Sequence, residues 1–172
     1  MARIPILGFV AHSGTGKTTL LLKIIPLLKA KGLRIGMIKH THHKFDIDHP
    51  GKDSYRLRHA GAEQMLVASR KRWALMVEIG DEFDEPYLEQ VLLHLNQDKL
   101  DLILVEGFKH ERFPKIEVHR PSLERPLFFP EDDSVIAIAC DAPLAVATDL
   151  PVLDMNLPEQ IVAFIEAQML QQ

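Results

Sequence analysis

The sequence predicts an α/β fold of the P-loop NTPase type, in which a mostly parallel sheet is flanked by helices and a β-hairpin can form at the edge of the sheet. Short apolar runs alternate with amphipathic segments along the 172 residues, an order typical of strands connected by helices. The segment Leu100–Val105 holds five branched apolar residues, as expected of a strand buried on both faces of a parallel sheet. The chain length favours a single domain over residues 1–172.

The first half of the chain predicts strands, two helices and a hairpin. The first helix should begin near Lys17 and end at Gly32, with a kink or a break at Pro26. Asp53 is the predicted N-cap of a short helix. The predicted ranges are Ile4–Ala11 and Leu33–Lys39 for strands, Tyr55–Ala60 for the short helix, and Gln64–Ser69 with Arg72–Glu78 for the hairpin.

The second half predicts further strands and two helices. One helix should begin at Asp84 and Pro86 and continue to about Asn96, and Asn156 is the predicted cap of the final helix. Polar and apolar residues alternate over Lys115–Arg120, which indicates an edge strand. The remaining predictions are strands at Ser134–Cys140 and Pro151–Asp154 and a loop at Pro121–Pro130.

A glycine-containing loop connects the first strand to the first helix. It reads Ala11-His-Ser-Gly-Thr-Gly-Lys17-Thr18 and has the strand–loop–helix context of the phosphate-binding P-loop, or Walker A motif. Glycines let backbone N–H groups point at phosphate oxygens, and the helix N-terminus adds its positive dipole. Ala11 replaces the first glycine of the motif. The predicted phosphate-binding residues are Ser13, Gly14, Thr15, Gly16, Lys17, Thr18 and Thr19.

A magnesium site is predicted beside this loop. Glu106 ends an apolar strand, where P-loop proteins carry a carboxylate that meets Mg²⁺ directly or through water. The Thr18 hydroxyl is the second predicted ligand, and Gly107 would leave room for the γ-phosphate. Asp46 and Asp48 are predicted to complete the Mg²⁺ shell through waters, the alternative being loop carboxylates in solvent.

The loop after the second strand also contains a histidine cluster, His40, His42 and His43. Such a cluster is compatible with a transition-metal site, but no cysteine accompanies it and no fourth ligand is evident. A solvated, partly cationic substrate loop is the favoured interpretation. This position also corresponds to the switch segment of P-loop proteins.

Asp141 is the predicted base-recognition residue. It ends the strand Ser134–Cys140, and ligands of open α/β sheets lie beyond the carboxyl ends of the strands. A carboxylate there can accept hydrogen bonds from guanine N1 and N2, which adenine cannot offer; the alternative is an aspartate that caps a turn. A basic cluster around Trp73 is either a phosphate-binding surface or scattered surface charge: Arg56, Arg58, Arg70, Lys71 and Arg72.

Composition restricts the classes of partner. The net charge of −4 disfavours bulk nucleic-acid binding. The early apolar stretches are interrupted by charged residues, so no membrane span or signal peptide is predicted. The single cysteine, Cys140, is expected to be a small core residue and suits a reducing, cytoplasmic compartment.

Taken together, these motifs resemble the molybdopterin-guanine dinucleotide biosynthesis protein B (MobB) family. The resemblance implies a P-loop GTP-binding protein with Mg²⁺, weak GTP hydrolysis and a homodimer. It also implies an adaptor role beside the guanylyltransferase that attaches GMP to molybdopterin, and it makes molybdopterin a candidate ligand. Residues 111–133 match no motif of the family. The matching segments are Ser13–Leu21, Ile38–His43, Pro50–Tyr55, Arg72–Met76 and Leu102–His110.

Two alternatives remain open at this point. Val105-Glu106-Gly107 also resembles uridine-kinase-like enzymes, which would make the chain an ATP-dependent small-molecule kinase with Asp46 or Asp48 as its base. The other alternative is a pure binding adaptor whose nucleotide site only fixes the shape of the protein.

No catalytic glutamine or arginine finger can be assigned from the sequence, so GTP hydrolysis is expected to be slow.

Overall fold

A six-stranded parallel sheet forms the centre of the computed structural model, in the strand order β2-β5-β1-β6-β7-β8. The structure describes residues 2–41, 45–80 and 85–170. Each pairing in this sheet is parallel. The strands are β1 (Ile6–Val10), β2 (Ile35–Lys39), β5 (Leu102–Glu106), β6 (Lys115–His119), β7 (Val135–Cys140) and β8 (Val152–Asp154).

Helices cover the sheet. Helix α1 (Lys17–Ala30) and helix α4 (Pro158–Met169) pack on each other and bury leucine and isoleucine side chains against one sheet face. The short helix α3 (Leu88–Leu92) contributes to a second apolar cluster. Strand β5 supplies both clusters, with Leu104 in the first and Val105 in the second. The predicted parallel sheet flanked by helices is therefore confirmed.

The chain divides into two compact units. The sheet and its helices belong to the first unit, Met1–His40 with Tyr87–Gln172. The second unit, Thr41–Pro86, contains helix α2 (Asp53–His59) packed on strand β3 (Gln64–Ala68), which pairs antiparallel with strand β4 (Trp73–Val77). The predicted hairpin therefore exists, but it forms a two-stranded sheet of its own.

Strand β6 is not the edge strand that its alternating sequence predicts. It lies between β1 and β7, and all of its residues are buried. Its polar side chains have partners inside the protein: Lys115 donates to Asp132, and Glu117 accepts hydrogen bonds from the backbone N–H groups of Phe128 and Phe129. A polar–apolar alternation therefore marks a buried polar network here and not a solvated face.

Helix α1 continues through Pro26, so of the predicted kink or break the break is absent, and the kink stays a prediction. Proline leaves the carbonyl four residues earlier without its helical hydrogen bond. That carbonyl belongs to Leu22, whose side chain is exposed. Water can satisfy it, which lowers the cost of the proline.

Other helix ends also differ from the predictions. Lys52 takes the N-cap position of α2 in place of Asp53, and Leu157 takes that of α4 in place of Asn156. Helix α3 ends at Leu92. The next turn is closed by hydrogen bonds between residues three apart, as in a 3₁₀ turn, such as Leu95 N–H to the Leu92 carbonyl. Asp84, the predicted start of that helix, lies outside the described residues.

Candidate nucleotide-binding site

The loop between β1 and α1 has the conformation that its sequence predicts. Gly14 and Gly16 have φ angles of +81° and +96°, in the left-handed region that glycine adopts most readily. Gly16 directly precedes α1, whose first residue is Lys17. The N-terminus of a 14-residue helix thus opens at the loop, and its unpaired N–H groups and dipole favour an anion.

Some of the predicted phosphate-binding residues are exposed to solvent, and one of them is buried. Ser13 and Gly14 in the loop and Thr18 and Thr19 in the first turn of α1 are exposed, so a ligand can reach them. Thr15 is buried instead, and its hydroxyl donates to the His12 carbonyl at 2.7 Å. The side chain of Thr15 therefore holds the loop together.

Arg120 also supports the loop, and sequence reasoning missed it. Its Nε donates to the Thr15 carbonyl at 2.8 Å, and its Nη1 pairs with the Asp141 carboxylate. A Cβ added at Gly16 would lie 3.4 Å from Nη2 of Arg120, so this glycine allows the guanidinium close to the loop. No local motif signals the contact, because Arg120 lies 105 residues from Thr15 in the sequence.

Asp141 follows β7 at the carboxyl end of the sheet, as predicted. The structure shows a role that the sequence does not indicate: one of its carboxylate oxygens is taken by Arg120. That oxygen pairs with the arginine that supports the loop, and selection of guanine by Asp141 stays a prediction. Cys140, the residue before it, is buried as expected, and burial raises the pKa of its thiol.

The Glu106 carboxylate lies close to two ammonium groups. Its Oε1 is 3.6 Å from Lys17 Nζ and 3.3 Å from Lys39 Nζ, and its side chain is only 11% exposed. The structure thus brings together Glu106 and Lys17, two of the predicted site residues, and their roles stay predictions. Lys39, at the end of β2, is not among the residues that the sequence predicts for the site.

Gly107 is needed for a different reason from the one the sequence suggested. Its φ is +100°, and a Cβ at this position would lie 2.6 Å from the Cβ of His40. The space beside Gly107 is thus filled by His40, which also stacks on Phe108 with ring centroids 4.6 Å apart. The glycine lets strands β2 and β5 end in close contact.

Part of the segment 111–133 packs beside the loop. His12 contacts the Pro126 carbonyl through Nε2 at 2.9 Å and stacks on Phe128 at 4.5 Å between ring centroids. Burial raises the pKa of Glu117, although the N–H groups of Phe128 and Phe129 oppose that shift. Burial lowers the pKa of His119, as does the nearby His12. Through the two contacts of His12, residues 126–129 anchor the start of the P-loop.

The second unit contains the other predicted metal ligands. Asp46 accepts a hydrogen bond from Arg58 Nη2 at 2.6 Å, which lowers the pKa of Asp46 against the opposing effect of desolvation. Arg58 also donates to Glu78 at 2.6 Å, so this member of the basic cluster serves an internal ion-pair network. Asp48 accepts a hydrogen bond from the Ser54 hydroxyl at 3.1 Å. The roles of Asp46 and Asp48 toward Mg²⁺ stay predictions.

The histidine cluster is described only in part. His42 and His43 lie outside the described residues. Over residues 2–41, 45–80 and 85–170, no group of three or more His, Cys, Asp or Glu side chains is arranged to hold a metal ion. Within the same ranges, no helix is both long and apolar enough for a membrane span.

Comparison with known proteins settles the family. The family model "Molybdopterin guanine dinucleotide synthesis protein B" matches residues 6–141. The chain belongs to the MobB family. It is 53% identical to the molybdopterin-guanine dinucleotide biosynthesis adapter protein of Escherichia coli K12, over 94% of this chain and 91% of that protein. The protein of the same name from Haemophilus influenzae is 45% identical, over 95% and 89%.

A solved structure supports the fold assignment. The crystal structure of a molybdopterin-guanine biosynthesis protein B superimposes with a TM-score of 0.73 at 25% identity, over 94% of this chain and 98% of that one. The resemblance to MobB drawn from the sequence motifs is confirmed, and with it the P-loop NTPase-type fold. The family match, over residues 6–141, includes the loop at 11–16 and Glu106.

Proposed function

We propose that this MobB-family chain binds Mg²⁺–GTP, hydrolyses it slowly, and acts as an adaptor in the biosynthesis of molybdopterin guanine dinucleotide. One observation carries the proposal. Lys17 at the start of α1 lies 3.6 Å from the Glu106 carboxylate at the end of the neighbouring strand β5. This distance supports a site in which Lys17 binds phosphate and Glu106 serves magnesium, the pairing that nucleotide phosphates require.

The phosphates are assigned to the loop and the first turn of α1. Backbone N–H groups around Gly14 and Gly16, the helix dipole and the Lys17 ammonium all favour negative charge at one place. Ser13, Thr18 and Thr19 add exposed hydroxyls. Thr15 contributes by holding the loop, through its bonds to His12 and Arg120.

The residues present fit a magnesium ion. Glu106 offers a buried carboxylate and Thr18 an exposed hydroxyl, both hard oxygen ligands of the kind Mg²⁺ prefers. A bound Mg²⁺ would neutralise phosphate charge at this position. Asp46 and Asp48 remain proposed outer ligands, although an oxygen of Asp46 is already engaged by Arg58.

The placement of Arg120 supports slow hydrolysis. Its guanidinium contacts the P-loop, but its donors are directed at the Thr15 carbonyl and the Asp141 carboxylate. An arginine committed in this way does not stabilise charge on the transferred phosphoryl group. The protein itself would then retain GTP rather than turn it over rapidly.

Guanine recognition and partners complete the proposal. We assign guanine selectivity to the region of Asp141, with the oxygen that Arg120 does not occupy as the acceptor. We further propose a cytoplasmic homodimer that partners the guanylyltransferase, with molybdopterin as a candidate ligand. The kinase alternative is weaker, because the Escherichia coli relative that covers 94% of this chain is named an adapter protein.

Thermal unfolding with and without Mg²⁺–GTP tests the phosphate assignment. GTP should raise the melting temperature of the wild type and of Lys29→Ala, an exposed lysine at the other end of α1, because a ligand that binds only the folded state stabilises it. Lys17→Ala should still fold without nucleotide, because Lys39 remains paired with Glu106, and it should gain no stability from GTP. An equal gain in Lys17→Ala would refute the assignment.

A further inference from the structure

One carboxylate faces two lysines at the carboxyl end of β5. The Oε1 atom of Glu106 is within 3.6 Å of Lys17 Nζ and within 3.3 Å of Lys39 Nζ. Lys39 and Glu106 are also direct neighbours in the register of β2 and β5. Because a single carboxylate carries one negative charge, these three side chains leave one positive charge unbalanced, which favours a further anion.

The backbone around Lys39 is firmly held, whereas its side chain can move. The His40 N–H donates to the Glu106 carbonyl at 2.7 Å, which ties the end of β2 to the end of β5. The Lys39 side chain is 59% exposed, against 19% for Lys17. Lys39 can therefore turn from Glu106 toward a ligand without a change in the fold.

We propose that Lys39 is a second phosphate-binding residue of the site, held by Glu106 in the free protein and directed at the terminal phosphate of the bound nucleotide. The proposal rests on the proposed function, because it takes Mg²⁺–GTP as the ligand. Glu106 cannot balance two lysines and also serve as a magnesium ligand. When it takes the second role, the two ammonium groups are left for the phosphates.

The strand order indicates which phosphate Lys39 serves. Strand β5 lies between β2 and β1, so Lys39 lies across Glu106 from the P-loop. The P-loop and Lys17 cradle the β- and γ-phosphates, and the terminal γ-phosphate extends toward the magnesium-site acid. A cation on the far side of that acid is placed for the terminal phosphate. Lys39 should thus contribute to GTP binding and hardly at all to GDP binding.

Calorimetric titration of Lys39→Met with GTP and with GDP, each with Mg²⁺, tests this assignment. The expected result is a loss of GTP affinity of about tenfold to a hundredfold, the range of a hydrogen bond to a charged group. GDP affinity should change by less than about twofold, which is small against that range. Lys39→Arg should retain most of the GTP affinity, and Lys29→Met provides the control for loss of an exposed lysine on the same unit.

The outcomes separate this inference from the proposed function. If the wild type binds GTP but Lys39→Met changes GTP and GDP affinity by the same factor, or changes neither, the assignment of Lys39 is overturned and the proposed function stands. If the wild type binds neither nucleotide, the proposed function fails and this assignment fails with it. A loss confined to GTP, with rescue by arginine, supports a phosphate contact.

Discussion

Lys115 provides a stability test with a built-in control. Its side chain is 2% exposed, and Nζ donates to Asp132 at 2.8 Å, to Ser134 Oγ at 2.9 Å and to the Lys109 carbonyl at 3.1 Å. A neighbouring ion pair, Arg112 with Asp133, has a shorter N–O distance of 2.6 Å but side chains that are 78% and 72% exposed. The two pairs thus differ chiefly in burial.

The expected magnitudes follow from that difference. Removing one partner of a buried ion pair costs about 3–5 kcal/mol, because the other charge is left without its partner. Asp132 is 21% exposed and keeps its hydrogen bonds to Ser134, which lowers the expected cost of Lys115→Met to about 2–4 kcal/mol. For Arg112→Met we expect about 0–1 kcal/mol, the range of exposed pairs.

Urea unfolding followed by circular dichroism measures both losses in the free energy of unfolding. A domain of this size is stable by about 5–15 kcal/mol, so Lys115→Met should still fold and show a lower midpoint with an unchanged slope. Equal losses for Lys115→Met and Arg112→Met would show that burial does not set the contribution of the Lys115 ion pair to stability. That result would mean that Lys115 lies in solvent and that β6 is the edge strand its alternating sequence suggests.

Two other predictions concern the loop support and an exposed ion pair. Arg120→Met should weaken Mg²⁺–GTP binding about tenfold, or about 1.4 kcal/mol, because the Thr15 carbonyl loses its donor. Calorimetry should show no change in affinity for the control Arg125→Met, since Arg125 is exposed. An unchanged GTP affinity in Arg120→Met would contradict this role. The hydrogen bonds from Arg34 lower the pKa of Asp101 to about 2 from 3.8. Since the folded-state pKa is the lower one, this pair stabilises the protein above about pH 4 and ceases to do so as the pH falls toward 2. The difference in melting temperature between wild type and Asp101→Asn should narrow over that range, and a constant difference would exclude this linkage.

The sequence predicts those parts of the site that short segments encode. The loop at Ser13–Thr19 and the acid Glu106 each follow an apolar strand, and a strand that ends in a glycine loop or an acid is a local signal. The parallel sheet is likewise predicted from runs such as Leu102–Val105. These elements need no knowledge of distant partners.

Long-range pairing explains what the sequence could not predict. Whether Lys115 is buried depends on Asp132, 17 residues later, and the role of Arg120 depends on Thr15, 105 residues earlier. Lys39 is placed beside Glu106 only because β2 pairs with β5. Polar residues of this kind look like surface residues until the fold supplies their partners.

The proposed function is tested most directly by calorimetric titration of the wild-type protein with GTP and with ATP, each with Mg²⁺. We expect one binding site per chain and clear selectivity for GTP, because the Asp141 oxygen that Arg120 does not occupy can accept hydrogen bonds from guanine that adenine does not offer. Preference for ATP, or equal affinity for both nucleotides, would contradict a GTP-binding adaptor and would return the kinase alternative to consideration.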